Sequence, residues 1–257
     1  MSPMLAKKFE QGAIQYPVIS QPKIDGIRCF IVKGQFFTRN GNKIVNIPIE
    51  IKNAIPENIV LDGELYSDKL PFEELTGLLR TQTYKNDAKK VKLALFDMVN
   101  GDKQTDRLEC LKRMKFKTRL ISILPSIVLK SDNAVQAALK AAIKQGHEGI
   151  ILRNPHGYYE YKRSDNLVKV KEFKASEFLI VGVEEGKGKA KQTPIWICQT
   201  KSGESFKVKH VGEFKTLVNL FNNANKIIGE QLTVKYQNLT SRGVPRFPTG
   251  VCIRNYE

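Results

Sequence analysis

The sequence has no apolar run of the roughly 18–20 residues that a membrane-spanning helix needs, so no helical span and no membrane partner are expected. Its start, Met1-Ser2-Pro3-Met4-Leu5-Ala6-Lys7-Lys8, lacks the apolar stretch of a secretory signal. The expectation is an intracellular protein, in the cytoplasm of the producing or infected cell or in a eukaryotic nucleus. The four cysteines, Cys29, Cys110, Cys198 and Cys252, form no C-x-x-C pair and are not near His147, His156 or His210. This excludes a disulfide framework and a Cys/His zinc module. A G-x-x-x-x-G-K-[ST] loop is missing, so phosphates are not held as in P-loop proteins. There is also no internal repeat, low-complexity tract or long flexible linker.

What is present is an ordinary globular composition, 41% hydrophobic over 257 residues, enough for one large or two modest domains with real cores. Lys and Arg total 42 against 26 Asp and Glu, a net +16. Such an excess favours a polyanionic partner, because each neutralised phosphate releases condensed counterions. Solvated surface charge in a lysine-rich proteome is the plainer alternative.

The first two thirds alternate strands and helices. Ile27–Val32 reads as a strand turned by Lys33-Gly34-Gln35 into Phe36-Phe37-Thr38. Pro71-Phe72-Glu73-Glu74-Leu75 opens a helix, since proline suits a first helical turn. Ser131-Asp132-Asn133 caps another, with Val135, Ala138, Leu139, Ala142 and Ile143 on one face and Gly146 as its stop. The pattern is α+β, with antiparallel sheets packed against helices. It changes near residue 173. Beyond lie strand-like runs at 177–184, 195–200 and 205–209, a helix over about 213–228, and strands at 231–237 and near 251–254. Three strands, a helix and two strands is the order of an OB-fold β-barrel.

Five short segments carry the chemistry: Lys23-Ile24-Asp25-Gly26, Leu61-Asp62-Gly63-Glu64-Leu65, Leu95-Phe96-Asp97, Glu148-Gly149-Ile150 and Lys169-Val170-Lys171. Each lies in or beside a β-branched, apolar run, which reads as a strand carrying polar groups. Lys23 follows the turn-like Gln21-Pro22 and precedes a hydrophobic strand. A lysine is almost fully protonated at neutral pH, so it attacks phosphorus only where burial and neighbouring positive charge lower its pKa. Lys169 and Lys171 alternate on one strand and face the same way. Two like charges so placed repel unless a polyanion sits between them. Glu64 and Glu148, beside glycines, suit ribose hydroxyls or a hydrated divalent metal. Asp62 reads as a turn or surface acid, and Phe96, taken singly, as core.

In this order the segments resemble the covalent nucleotidyltransferases: ATP-dependent DNA ligases, RNA ligases and mRNA-capping guanylyltransferases. The match is nearest to the small viral ATP-dependent DNA ligases of the chlorovirus type. It runs from Lys23-Ile24-Asp25-Gly26-Ile27-Arg28 to Pro245-Arg246-Phe247-Pro248 and Ile253-Arg254. The resemblance implies an ATP-grasp-like nucleotidyltransferase domain at 1–173, an OB-fold domain at 174–257, and a monomer acting on nicked duplex DNA. It implies that Lys23 carries AMP from ATP, that Lys169 and Lys171 contact the α-phosphate, and that Phe96 stacks on the purine. Glu64 is implied to bind the ribose and Gln21 to read adenine. Glu148 is implied to hold Mg²⁺ or Mn²⁺, with Asp25 and Glu64 in the same metal region. Arg28 and Arg39 correspond to arginines for the nick 5′-phosphate and the nucleotide. Arg246 and Arg254 correspond to the basic motif that meets the β- and γ-phosphates on domain closure.

The lack of a zinc module argues against the NAD-dependent ligases. One departure from the chlorovirus type is visible: only Gly186-Lys187-Gly188-Lys189-Ala190-Lys191 and a few residues stand where that type carries a long DNA-encircling latch. Encirclement is therefore not expected, and the basic loop is expected to serve as a phosphate contact. An RNA ligase or a capping guanylyltransferase is the alternative within the class. A non-catalytic OB-type nucleic-acid-binding protein is the alternative outside it.

Overall fold

A computed structural model describes residues 3–10 and 12–254. They form two compact units that divide between Lys171 and Glu172.

The first unit begins with β1 (Leu5–Lys8), β2 (Val18–Lys23), β3 (Ile27–Val32), β4 (Gln35–Thr38), α1 (Ile49–Ala54), β5 (Val60–Tyr66) and α2 (Phe72–Arg80). It continues through β6 (Lys92–Met98), α3 (Gln104–Arg113), β7 (Ile121–Ile123), β8 (Ile127–Leu129), α4 (Asp132–Lys144), β9 (Gly149–Arg153) and β10 (Arg163–Lys171). The strands make two five-stranded sheets, ordered β1-β10-β9-β2-β8 and β4-β3-β5-β6-β7. Neither is wholly antiparallel as the sequence suggested, because β1 runs parallel to β10 and β6 parallel to β7. The expected hairpin forms, with Lys33 and Gly34 both at positive φ in its turn. Pro71 is the N-cap of α2, and Ser131 caps α4 by accepting from the Ala134 amide at 3.2 Å.

Each sheet buries one face under helices. Ile31, Leu61, Leu65, Leu93 and Leu95 pack with Ile51 of α1, Leu75 and Leu79 of α2 and Leu111 of α3. Val18, Ile150, Leu152 and Val170 pack with Val135 and Ala142 of α4. Because strand side chains alternate, the intervening residues point away from the helices: Gln21 and Lys23, Ile151 and Arg153, Lys169 and Lys171 on one sheet, Arg28 and Glu64 on the other. A bulge in β6, where Asp62 pairs with Asp97 but Gly63 with Leu95, turns both Phe96 and Asp97 out of the apolar layer. The polar faces of both sheets come from this alternation.

The second unit comprises β11 (Lys174–Glu185), β12 (Pro194–Gln199), β13 (Ser205–His210), α5 (Phe214–Asn222), α6 (Ala224–Ile227), β14 (Gln231–Tyr236) and β15 (Thr249–Arg254). Its strands close into a barrel, β11-β12-β13-β15-β14, sealed by the parallel β13–β15 pair. The core holds Ile180, Trp196, Cys198, Val208, Leu232 and Val234. The Trp196 indole N–H donates to His210 Nδ1 at 3.1 Å, and burial holds that imidazole below its usual pKa. The single helix expected over 213–228 breaks at Asn223, whose side-chain amide donates to the Asn219 carbonyl at 2.9 Å and competes with the helical ladder.

Candidate active site

Lys23 is the last residue of β2. Gln21-Pro22 is therefore strand and not the turn the sequence suggested. Pro22 is tolerated because β8 stops opposite Ser20, leaving β2 one neighbour at that point. Three strand ends meet here, with Gly149 pairing with Lys23 on one side and Lys171 on the other. Only glycine fits: a Cβ at position 149 would lie 2.2 Å from the Val170 carbonyl oxygen, and its φ is +150°. The Glu148 amide donates to the Lys23 carbonyl at 3.0 Å, which holds the two residues side by side.

Glu148 Oε2 is ion-paired with Lys23 Nζ and, at 3.0 Å, with Lys171 Nζ. Burial alone would raise the Glu148 carboxyl, but Lys23 and Lys171 together outweigh it and bring it to about 2. Burial and then Lys23 lower the Lys171 ammonium, against the opposing pull of Glu148 and Asp25. Lys169 is lowered by burial and then by Lys171, Arg163 and Lys23. Sequence alternation thus brings Lys23, Lys169 and Lys171 into one field, with Asp25 half-buried beside it.

The second sheet supplies the other wall. Arg28 grips Asp62 with two bonds, Nε to Oδ1 at 2.9 Å and Nη2 to Oδ2 at 2.5 Å. Asp62 also accepts from the Tyr159 hydroxyl at 2.6 Å. The expectation of a surface acid at Asp62 is therefore corrected: it is fully buried, because β5 alternation points it at Arg28. Glu64 is two residues along on the same face. Burial raises its carboxyl to about 7, although Lys23 and Arg28 pull the other way. Gly26 allows the close approach of β3 to β5, since a Cβ there would lie 2.3 Å from the Leu65 carbonyl oxygen.

Phe96 stands between cations, with the Arg28 guanidinium 5.4 Å and the Arg153 guanidinium 5.2 Å from its ring centroid. Arg153 Nη1 binds Asp97 at 2.8 Å, and Asp97 also binds Arg107 Nε at 2.9 Å. Arg153 Nε donates to Gln21 Oε1 at 2.7 Å, while Gln21 Nε2 donates to the Phe96 carbonyl and Ser126 Oγ, both at 3.2 Å. The Gln21 amide is thereby committed at both ends to the protein, and a contact with adenine would have to break one of these bonds. Sequence reading did not single out Asp97, Arg107 or Arg153 as site residues. The available signal was a charged residue inside each of two apolar strands, at Asp97 and Arg153.

A cavity of about 220 Å³ opens among these groups, lined by Lys23, Arg28, Arg39, Glu64, Phe96 and Lys169. Arg39 reaches it from the exposed turn after β4. In the barrel unit, Arg254 lies on β15 with Nε 3.1 Å from Thr233 Oγ1 and 3.7 Å from Glu177 Oε1. The guanidinium of Arg246 lies 5.6 Å from the centroid of Phe247, a residue at φ +53°. Among the described residues no three His, Cys, Asp or Glu side chains converge as a metal cage. Glu64 and Glu148 do fall within each other's electrostatic reach. A donor set of one or two carboxylates, completed by phosphate oxygens and water, fits a hard ion such as Mg²⁺ or Mn²⁺.

Residues 3–171 match the model of the ATP dependent DNA ligase domain, and residues 185–254 that of the DNA ligase OB-like domain. The DNA ligase of Haemophilus influenzae is 31% identical over 253 residues, covering 96% of this chain and 90% of that protein. The DNA ligase of African swine fever virus strain Badajoz 1971 is 30% identical over 226 residues, and the matched stretch is 52% of that protein. Among solved structures, a Lig E DNA ligase studied for DNA binding with a minimal scaffold superposes with TM-score 0.86 at 27% identity, covering 99% of each chain. A Chlorella virus DNA ligase-adenylate gives 0.59 at 25% identity, covering 100% of this chain and 99% of that one. With a strand-end lysine beside a cavity lined by Arg28, Glu64 and Phe96, and both domain models matched in order, the chain belongs to the ATP-dependent DNA ligase family, which uses ATP as its AMP donor.

Proposed function

We propose that this ligase seals 3′-OH/5′-phosphate nicks in duplex DNA with Lys23 as its nucleophile, residues 1–173 forming the adenylyltransferase domain and residues 174–257 the OB domain. The observation that carries the reading is the meeting of Lys23, Glu148 and Lys171 at three strand ends beside the cavity. In the first step Lys23 Nζ, having lost its proton, attacks the α-phosphorus of ATP. The N–P bond forms as the bond to pyrophosphate breaks. AMP then passes to the 5′-phosphate at the nick, and the 3′-hydroxyl displaces it to close the strand.

Glu148 holds Lys23 at the cavity edge, with Lys171 on the same carboxylate oxygen. Lys169 and Lys171 face the α-phosphate, whose arrival draws Lys171 from Glu148. Arg28 and Arg39 act on phosphate oxygens, Glu64 on the ribose and Phe96 on the purine. Arg246 and Arg254 act on the β- and γ-phosphates. Gln21 orients Arg153 and the Phe96 backbone beside the base. Mg²⁺ or Mn²⁺, held by Glu148 with Asp25 and Glu64, would neutralise charge on the phosphates. The link from β11 to β12 occupies only residues 186–193, with a 3₁₀ turn at Gly188–Ala190. Its lysines 187, 189 and 191 contact DNA phosphate in place of a latch. The protein acts as a monomer inside the cell.

Incubation with α-labelled ATP or GTP and Mg²⁺, followed by a denaturing gel, tests the assignment. Label from ATP that vanishes in Lys23→Ala, with sealing of a pre-adenylylated nick retained, supports it. Label from GTP alone overturns it in favour of capping chemistry. Sealing of nicked RNA but not nicked DNA overturns the choice of substrate.

A further inference from the structure

Beside the nucleotide cavity runs a second, larger groove of about 1040 Å³ that shares Arg28, Arg39 and Glu64 with it and adds Lys43, Arg80 and Gln82, which the adenylylation step does not use. Its cations are Arg28, Arg39, Lys43 and Arg80, against the single acid Glu64. Arg28 is matched by Asp62, so Arg39, Lys43 and Arg80, all exposed, give the groove its net charge. One wall is the turn after β4. It is closed by the Thr38 amide donating to the Asn42 carbonyl at 2.8 Å and the Gly41 amide to the Thr38 carbonyl at 2.9 Å. The other wall is the end of α2 and the loop after it.

That helix end is unusual for an anion site, because a helix C-terminus presents carbonyl oxygens that repel phosphate. Here those of Gly77, Leu78 and Arg80 accept from the protein. Asn46, fully buried, donates through Nδ2 to the carbonyls of Leu78 at 3.0 Å, Thr81 at 2.9 Å and Thr83 at 3.1 Å. Its Oδ1 accepts from the Lys85 amide at 2.7 Å. The Gly77 carbonyl accepts from the Thr81 hydroxyl at 2.9 Å. Gln82 spans the two walls, its amide 3.4 Å from both the Lys43 and the Arg80 carbonyl oxygens. One buried asparagine thus ties the Leu78 carbonyl of α2 to the carbonyls of Thr81 and Thr83, and fixes the loop that carries Gln82 to the helix end that carries Arg80, opposite Lys43.

We propose that this groove takes the phosphodiester backbone of the nicked duplex, with Lys43 and Arg80 as phosphate contacts and Asn46 as their positioning residue. The inference rests on nicked DNA being the substrate. The competing source of the same chemistry is the triphosphate tail of ATP, and the experiment separates the two.

Wild type and Lys43→Gln/Arg80→Gln are first compared for lysyl-AMP formation across ATP concentrations. Pre-adenylylated protein is then titrated with nicked duplex over a range of salt. Loss of two phosphate contacts flattens the plot of log affinity against log salt by about 1.8 and weakens binding near 0.1 M salt roughly ten- to a hundredfold. Lysyl-AMP formation stays within about twofold of wild type. Asn46→Ala keeps every cation. It lowers duplex affinity several-fold and flattens the salt plot while a folded, adenylylation-competent protein remains by thermal melt. An unchanged slope in the double variant overturns the assignment. So does a rise in KM for ATP parallel to the loss of DNA affinity, which would give the groove to the triphosphate. Wild type that forms lysyl-AMP but binds no nicked duplex removes the DNA reading itself, and this assignment with it.

Discussion

Two charged regions of the first unit make opposite use of the same residue types. Around Asp97 the charges are sealed: Arg107 is 0% exposed, Arg153 3%, and the carboxylate between them 0%. Every guanidinium there has a carboxylate or a carbonyl as partner. Around Lys23 the side chains keep 23% and 16% exposure at the two lysines, and one carboxylate serves both. Each region sets two cations against one carboxylate, but the buried guanidiniums spend their remaining donors on Gln21, Gln104 and backbone carbonyls, whereas the lysines at the cavity edge keep donors open to a ligand. A buried, satisfied network fixes geometry at the expense of reactivity; a partly satisfied one at a cavity edge retains it.

The contrast can be broken from either side. The largest effect is expected at Lys23→Ala, which loses lysyl-AMP formation altogether while its thermal midpoint stays near wild type; a collapsed midpoint would place Lys23 among the structural charges. Asp97→Ala should do the reverse. Stranding Arg107 and Arg153 in the interior costs about 3–5 kcal/mol, read by chemical denaturation, and activity falls with folding. A loss below about 1 kcal/mol would show that the network contributes little.

Glu64 sharpens the comparison through pH. Its folded-state carboxyl is raised to about 7, so the stability linked to its neutral form is full below its ordinary value near 4.5 and is lost as pH rises through 7. Glu64→Gln is therefore expected to be about 2–3 kcal/mol more stable than wild type at pH 8 and nearly equal at pH 4, while binding ATP less well. Equal unfolding curves at pH 8 would contradict this. Glu148 has the opposite sign, since its lowered carboxyl contributes stability above about 4.5 that is lost as pH falls toward 2. The smallest effect is expected for Lys187, Lys189 and Lys191 changed together to Gln. The salt plot for nicked DNA should flatten by up to about 0.9 per lost contact, and identical plots would leave the short loop without a role in DNA binding.

Much of this was legible in the chain because strand alternation is a local rule. Lys169 and Lys171 share a face whatever surrounds them, and the same holds for Gln21 with Lys23. The barrel order was readable from the spacing of its runs, as was the short link in place of a latch. Asp62 was misread, because whether an acid after an apolar residue meets water or an arginine depends on a strand far away in sequence. Asp97 was invisible as a network centre, since a bulge in β6 decides which way it points.

The sequence by itself determined the strands that carry the motifs, the alternation along them and the order of the motifs, all set by backbone sterics and burial within a few residues. Only the tertiary structure decided that Lys23, Gly149 and Lys171 end at one level, that Gln21 turns its amide to Arg153, and that Asn46 ties the last turn of α2 to the loop after it. Each of those depends on sheet register and on distances of a few ångströms between segments tens of residues or more apart. There the energy of a hydrogen bond or ion pair is settled by the partner that packing supplies.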